Sequence, residues 1–320
     1  MTIAILGEAL IDLISSDDGT FRPHLGGSPY NVAIGLARQG IKTSYLSSLS
    51  DDIFGDQLHQ SLVREGVGVP LKRRSLWPTS IALVTVDHLG QATYRLYREG
   101  IADKDTSFEE VVENLPDDLR VFHTGSLAIT PSQLPKIRKI FDLIHQRDLL
   151  ISVDINIRLG ASIDEKKYLD GVRSLLKDVD IVKASDDDLA AFQLAADARQ
   201  SAEIIFKEMG SGLLLLTLGT GGAVLFSEQG AIDQPSYPVP SRVDAVGAGD
   251  TFHSAFLACL SRSGELSRPI SECSPGVLAS ALDFACAAAA INLARPGCSA
   301  PTQQEVTEFM AQEKMLNPGQ

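Results

Sequence analysis

The stretch DAVGAGDTF, residues 244–252, is a glycine-rich turn running straight into an amphipathic helix, with Asp250 at the helix mouth. Gly247 and Gly249 lack a Cβ, so the backbone between them can turn tightly and let a ligand approach the main-chain amides; Ala248 adds little bulk. From Phe252 onward the apolar residues fall at Phe252, Ala255, Phe256, Cys259 and Leu260, the spacing of one buried helical face. A helix therefore starts at about Asp250. The free amides of such a start, with the positive end of the helix dipole, favour a phosphate or a charge developing in a transition state. A carboxylate placed there can accept a proton. Asp is also a preferred helix cap, so on its own Asp250 reads equally as a base or a cap.

A second glycine turn, GGSPYN at 26–31, opens another helical pattern through Val32 and Leu36 that Gly40 stops. With the two segments in this order, GGSPYNVAIGLARQG near one end and DAVGAGDTFHSAFLA near the other, the chain resembles the ribokinase family of PfkB-type carbohydrate kinases from Ile3 to about Pro301. The resemblance implies an α/β fold for residues 1–320 as a single kinase domain: a ribokinase-like three-layer α/β/α arrangement with a mainly parallel central sheet and a small β-sheet lid.

The periodicity of the chain points the same way. Apolar runs at 2–7, 43–49, 120–124, 149–155, 179–184, 213–218 and 222–227 read as strands. Helical patterns lie between them at 30–39, 55–66, 132–147, 165–177 and 187–209, and then at 249–262, 275–295 and 303–315. This alternation predicts a largely parallel sheet covered by helices on both faces. Residues 80–98 break the pattern, alternating in character around HLGQ (88–91), and predict a β-hairpin. In the resembled family such a sheet, here from about 9–22 and 80–104, is a lid over the sugar, and in several members two lids pack to form a homodimer.

A chain of 320 residues is long for one core, so a main domain with a smaller appendage is expected. Its 28 basic against 41 acidic residues, a formal charge of −13, argue against nucleic acid or an anionic membrane as partner. Any phosphate site must then rely on local amides, Lys or Arg, and metal. Cys259, Cys273, Cys286 and Cys298 show no CxxC pair and no metal spacing, and read as reduced thiols. The chain opens on the apolar TIAILG without a basic leader, and no apolar run is expected to approach the ~20 residues of a membrane span. A cytoplasmic enzyme is expected.

Transfer of a phosphoryl group to a sugar hydroxyl needs positioning and charge neutralisation more than covalent help. By resemblance Asp250 is the base that takes the hydroxyl proton, and the amides of Gly247, Ala248 and Gly249 form the anion hole. Asp12 in GEALID, Gly26, Gly27 and Asn31 match the family's sugar-binding positions. Taken singly, Asp12 reads as a turn residue and Asn31 as a helix-start residue bonded to its own backbone. For ATP the resemblance assigns Thr217, Gly219, Gly221 and Gly222 in TLGTGG, together with Ser185, Gly249 and Cys286; as a bare sequence TLGTGG is a strand-to-strand turn. Arg158 in DINIR matches the arginine of the family's DPNxR segment and would bridge the phosphates, whereas an isolated arginine there is a surface ion pair.

The mutually repelling β- and γ-phosphates imply Mg²⁺, held partly through water. Where the family places an Asn and a Glu three residues apart, this chain has Ser185 and Asp188 in KASDDDL, which keeps oxygen ligands but shortens their reach; the acidic run also reads as a solvated helix start. Ala245 stands where Thr is usual, and Ile155 replaces the proline of DPN. The resemblance further implies a monovalent cation, potassium, held by Asp244 with carbonyls of Val246, Asn292, Arg295 and Gly297.

For the sugar, YRLYREGIADK (94–104) and HTGSLAIT (123–130) look most like bacterial fructokinases, and Tyr97 and Arg98 are the candidate contacts, of which strand alternation lets only one point inward. The expected reaction is ATP-dependent phosphorylation of D-fructose at O6. The alternative is 2-keto-3-deoxygluconate kinase, whose substrate carboxylate demands a cation such as Arg98 or Arg158. A reading of another class, a non-catalytic sugar-sensing protein, leaves Asp250 and the complete Gly-Ala-Gly turn without purpose. A dinucleotide-dependent oxidoreductase would need GxGxxG in the first βα turn, which is lacking.

Overall fold

The computed structural model describes residues 1–16, 19–86, 92–239, 241 and 243–316. The parallel part of the central sheet contains β1 (Thr2–Ile5), β4 (Thr43–Tyr45), β7 (Leu119–Gly125), β8 (Leu150–Asp154), β9 (Ile181–Ser185) and β10 (Leu213–Thr217), to which β11 (Ala223–Ser227) and β12 (Gly230–Gln234) add antiparallel. The strand order is β12-β11-β10-β9-β8-β7-β1-β4. A separate four-stranded sheet, ordered β3-β2-β5-β6, comprises β2 (Leu10–Ser15), β3 (Phe21–Gly26), β5 (Ser80–Val86) and β6 (Ala92–Tyr97). The expected hairpin is therefore present as β5 and β6, while its HLGQ turn lies outside the described residues.

Why the central strands read as unbroken apolar runs is visible in their burial. Ile3 and Ile5 of β1, with Leu213 and Leu215 of β10, enter one core, while Ala4, Leu214 and Leu216 enter the other. Side chains alternate between faces, so a strand apolar at every position must be covered on both. One cover is made by α1 (Ser28–Arg38), α2 (Ile53–Arg64), α8 (Ala248–Arg262), α9 (Pro275–Leu293) and α10 (Gln303–Leu316). The other is made by α3 (Phe108–Glu113), α4 (Leu134–Gln146), α5 (Glu165–Leu175), α6 (Asp186–Ala191) and α7 (Ala198–Met209).

Four sequence expectations need correction. The helix read over 187–209 is two, because Gln193 adopts a left-handed φ of 53° and Asp197 starts α7 afresh by accepting from the Gln200 amide at 2.8 Å. The strand read over 43–49 pairs only through Tyr45; Ser47 leaves the ladder and bonds Gly7 instead, its hydroxyl donating to the Gly7 carbonyl at 2.6 Å. The strand β3, FRPHLG, was not read beyond residue 22, since Pro23 and the exposed polar residues of an edge strand hide its pattern. Finally, the 19-residue α9 is long and apolar enough to cross a membrane. Here it is a core helix: Leu278, Leu282, Ala285 and Ala288 are buried in the same cluster as α8.

The approach of α1 to α8 depends on Gly35, where an added Cβ would lie 2.2 Å from the Ser254 hydroxyl oxygen. A Gly35→Val chain should lose about 1–3 kcal/mol of stability through overpacking, read as a lowered denaturant midpoint. An unchanged midpoint would show that the two helices are not in such close register.

Candidate active site

In an open α/β sheet the carboxyl ends of the parallel strands form the crevice where ligands bind. The residues ending β7, β8, β9 and β10 are Gly125, Asp154, Ser185 and Thr217. At that edge α8 begins, with Gly247 as its N-cap in the left-handed region at φ 71°, where an added Cβ would meet the Cys298 sulfur. The amides of Gly249 and Asp250, in the first turn, have no intrahelical acceptor by position, whereas the Ala248 amide turns to the Ala245 carbonyl at 3.3 Å. The glycine turn expected ahead of this helix is thus formed, with the Ala248 amide engaged.

Asp250 is buried, and each of its oxygens accepts one hydrogen bond from α1: Ser28 Oγ donates to Oδ1 at 2.6 Å, and Asn31 Nδ2 to Oδ2 at 2.8 Å. Burial pushes this carboxyl up and outweighs the downward pull of Ser28, Asn31, Lys183 and Arg158. The Asn31 side chain, read from the sequence as a sugar contact or as bonded to its own backbone, thus donates to Asp250. The GG pair ahead of α1 is needed sterically: a Cβ on Gly26 would sit 2.4 Å from Asp12 Oδ2, and one on Gly27, at φ 112°, would sit 2.5 Å from the Glu8 carbonyl oxygen.

Lys183 was not anticipated. It is 4 % exposed, in the middle of β9, with Nζ 3.2 Å from Asp154 Oδ1, and a Cβ on Gly249 would come within 2.9 Å of that nitrogen. The ammonium therefore lies against the turn that opens α8. Burial opposes its charge, but Asp154, Asp188 and Asp250 together outweigh burial and hold its pKa above the ordinary value. The signal was available: a lysine inside the apolar run IVKAS must find a partner or a ligand. Ser28 was missed for the opposite reason, since a serine at a helix start carries no signal beyond capping.

Among the residues expected to bind sugar, Asp12 of β2 stands opposite His24 of β3 in register, on one face of the small sheet. Burial lifts the Asp12 carboxyl to about 6, against the pull of His24 and Arg158. Arg158 is exposed, follows the left-handed Asn156, and is close enough to act on both Asp12 and Asp250. Tyr97 and Arg98 part company as alternation required. Tyr97 is 59 % exposed, while Arg98 is buried and spends its donors on Ser80 Oγ at 2.9 Å and Asp103 Oδ2 at 2.8 Å.

Among the residues expected to bind ATP, Thr217 closes β10 and the 3₁₀ turn Gly219–Gly221 follows it. Gly222 must be glycine: its φ is 91° and a Cβ would lie 2.1 Å from the Gln234 carbonyl oxygen. Cys286 is buried on α9, with its thiol pushed up to about 12 by burial, so it stays a neutral thiol. Ser185 and Asp188 form a reciprocal capping box at the start of α6, and Asp188 Oδ1 also accepts from the Ile157 amide at 2.6 Å. Asp188 thus braces the DINIR loop, and its oxygens are already engaged. No group of three or more His, Cys, Asp or Glu side chains suited to a metal occurs among the described residues. The donor set fits a divalent ion carried by phosphate oxygens and water, not one held in a protein cage. The residues expected around a monovalent cation are bonded to one another: Asp244 accepts from the amides of Val246 at 2.9 Å and Gly297 at 3.0 Å, and Asn292 Nδ2 donates to the Val246 carbonyl at 2.9 Å. The Arg295 amide donates to the Asn292 carbonyl.

Against known proteins, residues 2–305 match the profile of pfkB family carbohydrate kinases. A fructokinase of Rhizobium leguminosarum bv. trifolii is 32 % identical over 270 residues, 83 % of this chain and 82 % of that protein. Among solved structures, the fructokinase of Xylella fastidiosa with bound ATP superposes with a TM-score of 0.86 at 26 % identity, covering 98 % of this chain and 99 % of that one. The fructokinase of Vibrio cholerae O395 bound to fructose, ADP and calcium, 20 % identical with a TM-score of 0.79 over 96 % of this chain and 98 % of that one, shares the fold.

Proposed function

Because the chain belongs to the pfkB family of carbohydrate kinases, we propose that it transfers the γ-phosphoryl group of ATP to O6 of D-fructose. The observation that carries the transfer step is the buried Asp250, aimed by Ser28 and Asn31 at the mouth of α8 with Lys183 beneath the turn. Asp250 accepts the hydroxyl proton, and its raised pKa brings it nearer to the working pH of a general base. The amides opening α8 and the Lys183 ammonium face the charge that develops on the transferred group. Gly219, where an added Cβ would meet nothing, leaves room for the nucleotide beyond β10, and the exposed Arg158 of the DINIR loop is free to approach the phosphates. Mg²⁺ bound with ATP would supply neutralisation of the β- and γ-phosphates, and Asp188, its oxygens engaged at the start of α6, would hold it only through water. The small sheet acts as the lid that excludes water from the reacting group, and a homodimer through that lid belongs to the same reading.

A neutral ketose is favoured because Arg98, one of two arginines able to meet a substrate carboxylate, is already paired with Asp103, the two being 8 % and 4 % exposed. Release of ADP from Mg·ATP, measured in parallel with D-fructose, 2-keto-3-deoxygluconate, ribose and adenosine, tests the assignment. D-Fructose is expected to give the highest kcat/KM by at least about tenfold, roughly 1.4 kcal/mol of discrimination; preference for the keto-acid would replace it.

The Asp12 carboxyl provides a further check on the sugar site. Its pKa is raised to about 6, so the charged acceptor is present above that pH and is lost as pH falls through it. Calorimetric Kd values for D-fructose should weaken below about pH 6, and Asp12→Asn should bind weakly at every pH without that break. A wild-type affinity flat from pH 7.5 to 5 would remove Asp12 from the sugar site.

A further inference from the structure

Glu8, between β1 and β2, takes no part in the reaction just derived, yet it is only 2 % exposed. Its position is explained by a deficiency of α1. The N-cap of that helix is Gly27, which has no side chain to accept from the first-turn amides, and no side-chain cap is formed within the segment. An uncapped first turn leaves amides unsatisfied in a buried place. Glu8 supplies the acceptor from outside: the Ser28 amide donates to Glu8 Oε1 at 3.3 Å, and the carboxylate lies where the helix dipole favours negative charge. The same Ser28 sends its hydroxyl to Asp250 Oδ1 at 2.6 Å.

The carboxyl of Glu8 is itself held from two sides. Ser126, directly after β7, lies close enough to draw the Glu8 pKa down, and its backbone is left-handed at φ 49°, a conformation uncommon outside glycine that the surroundings must enforce. Arg98 and Asp103, at the base of the small sheet, face it across a small cavity also lined by Lys104 and Lys136. Burial pushes the Glu8 carboxyl up to about 7, against the pull of Arg98.

We propose that Glu8 is a positioning residue for the base: by capping α1 from outside the helix, it fixes the Ser28 hydroxyl on Asp250. The proposal rests on the reading of Asp250 as the base, but it is tested without turnover. The Asp250 carboxyl is titrated by ¹³C NMR in protein labelled at the aspartate side-chain carboxyl carbon, with Asp250→Asn identifying the resonance. Lys183, Arg158, Asp12, Asp154 and Cys298 also face Asp250 and are unchanged in every variant compared.

Glu8→Met keeps the bulk and removes the acceptor. It should raise the Asp250 pKa by roughly one pH unit, the effect of withdrawing a hydrogen bond to a charged group. Ser28→Ala should shift it equally, and the double variant no further, because both act through one contact. Glu8→Gln, whose amide oxygen still accepts from Ser28, should stay near the wild type. An Asp250 titration unmoved by Glu8→Met, or an additive double variant, would overturn the proposal. If Glu8→Met does not fold, Ser28→Ala decides: a titration it leaves in place overturns the proposal equally. ADP release from the same samples with D-fructose reports separately on the sugar reading, so the two fail independently.

Discussion

Replacing Asp250 with Asn is expected to lower kcat by about 10³-fold, within the range of losing a positioned general base, while the Kd for ATP changes by less than about twofold. The asymmetry follows from the geometry. The amides that open α8 are backbone groups, and they stay in place when the side chain changes from carboxylate to amide. Ser28 and Asn31 both donate to Asp250, so an Asn there can accept only one of these bonds and must turn its own NH₂ towards the other donor. Pre-steady-state kinetics and nucleotide titration on one sample would separate the two effects. Equal losses in kcat and ATP affinity would mean that Asp250 holds the turn together and does not take a proton.

Lys183→Met should have two effects that a second substitution can part. Removing the ammonium leaves Asp154 buried without its ion partner, at a cost of about 3–5 kcal/mol in stability. It also removes a cation beside Gly249, for which a loss of about 10²–10³ in kcat is expected from oxyanion-type stabilisation. Adding Asp154→Asn relieves the buried charge, so the double variant should regain most of the melting temperature and little of the rate. Recovery of both would make Lys183 a structural counter-ion and nothing more.

The legibility of this chain divides along physical lines. The two glycine turns could be read because their conformations are demanded locally: Gly247 at φ 71° and Gly27 at φ 112° sit where a side chain has no room. The parallel strands could be read because they are covered on both faces and so are apolar throughout, as LLLLT in β10 shows. The edge strands β3 and β12 are exposed and polar, and leave no comparable pattern. The site was legible where one residue marks its own place, as Asp250 does at the mouth of α8. It was illegible where function comes from tertiary pairing. Nothing local to Ser28 reveals that Asp250 lies within 2.6 Å, and nothing local to Arg98 reveals that Asp103 has claimed its guanidinium. Lys183 lies between these cases, since an ammonium in a fully buried strand signals a partner without saying which.

The most direct measurement is the position of the phosphate on the product formed from Mg·ATP and D-fructose by the wild-type protein, read by ³¹P and ¹H NMR, with Asp250→Asn beside it. Fructose 6-phosphate from the wild type, and at most a trace from the variant, is the predicted result. No phosphorylated sugar, phosphate on another hydroxyl, or equal product from both proteins would contradict it.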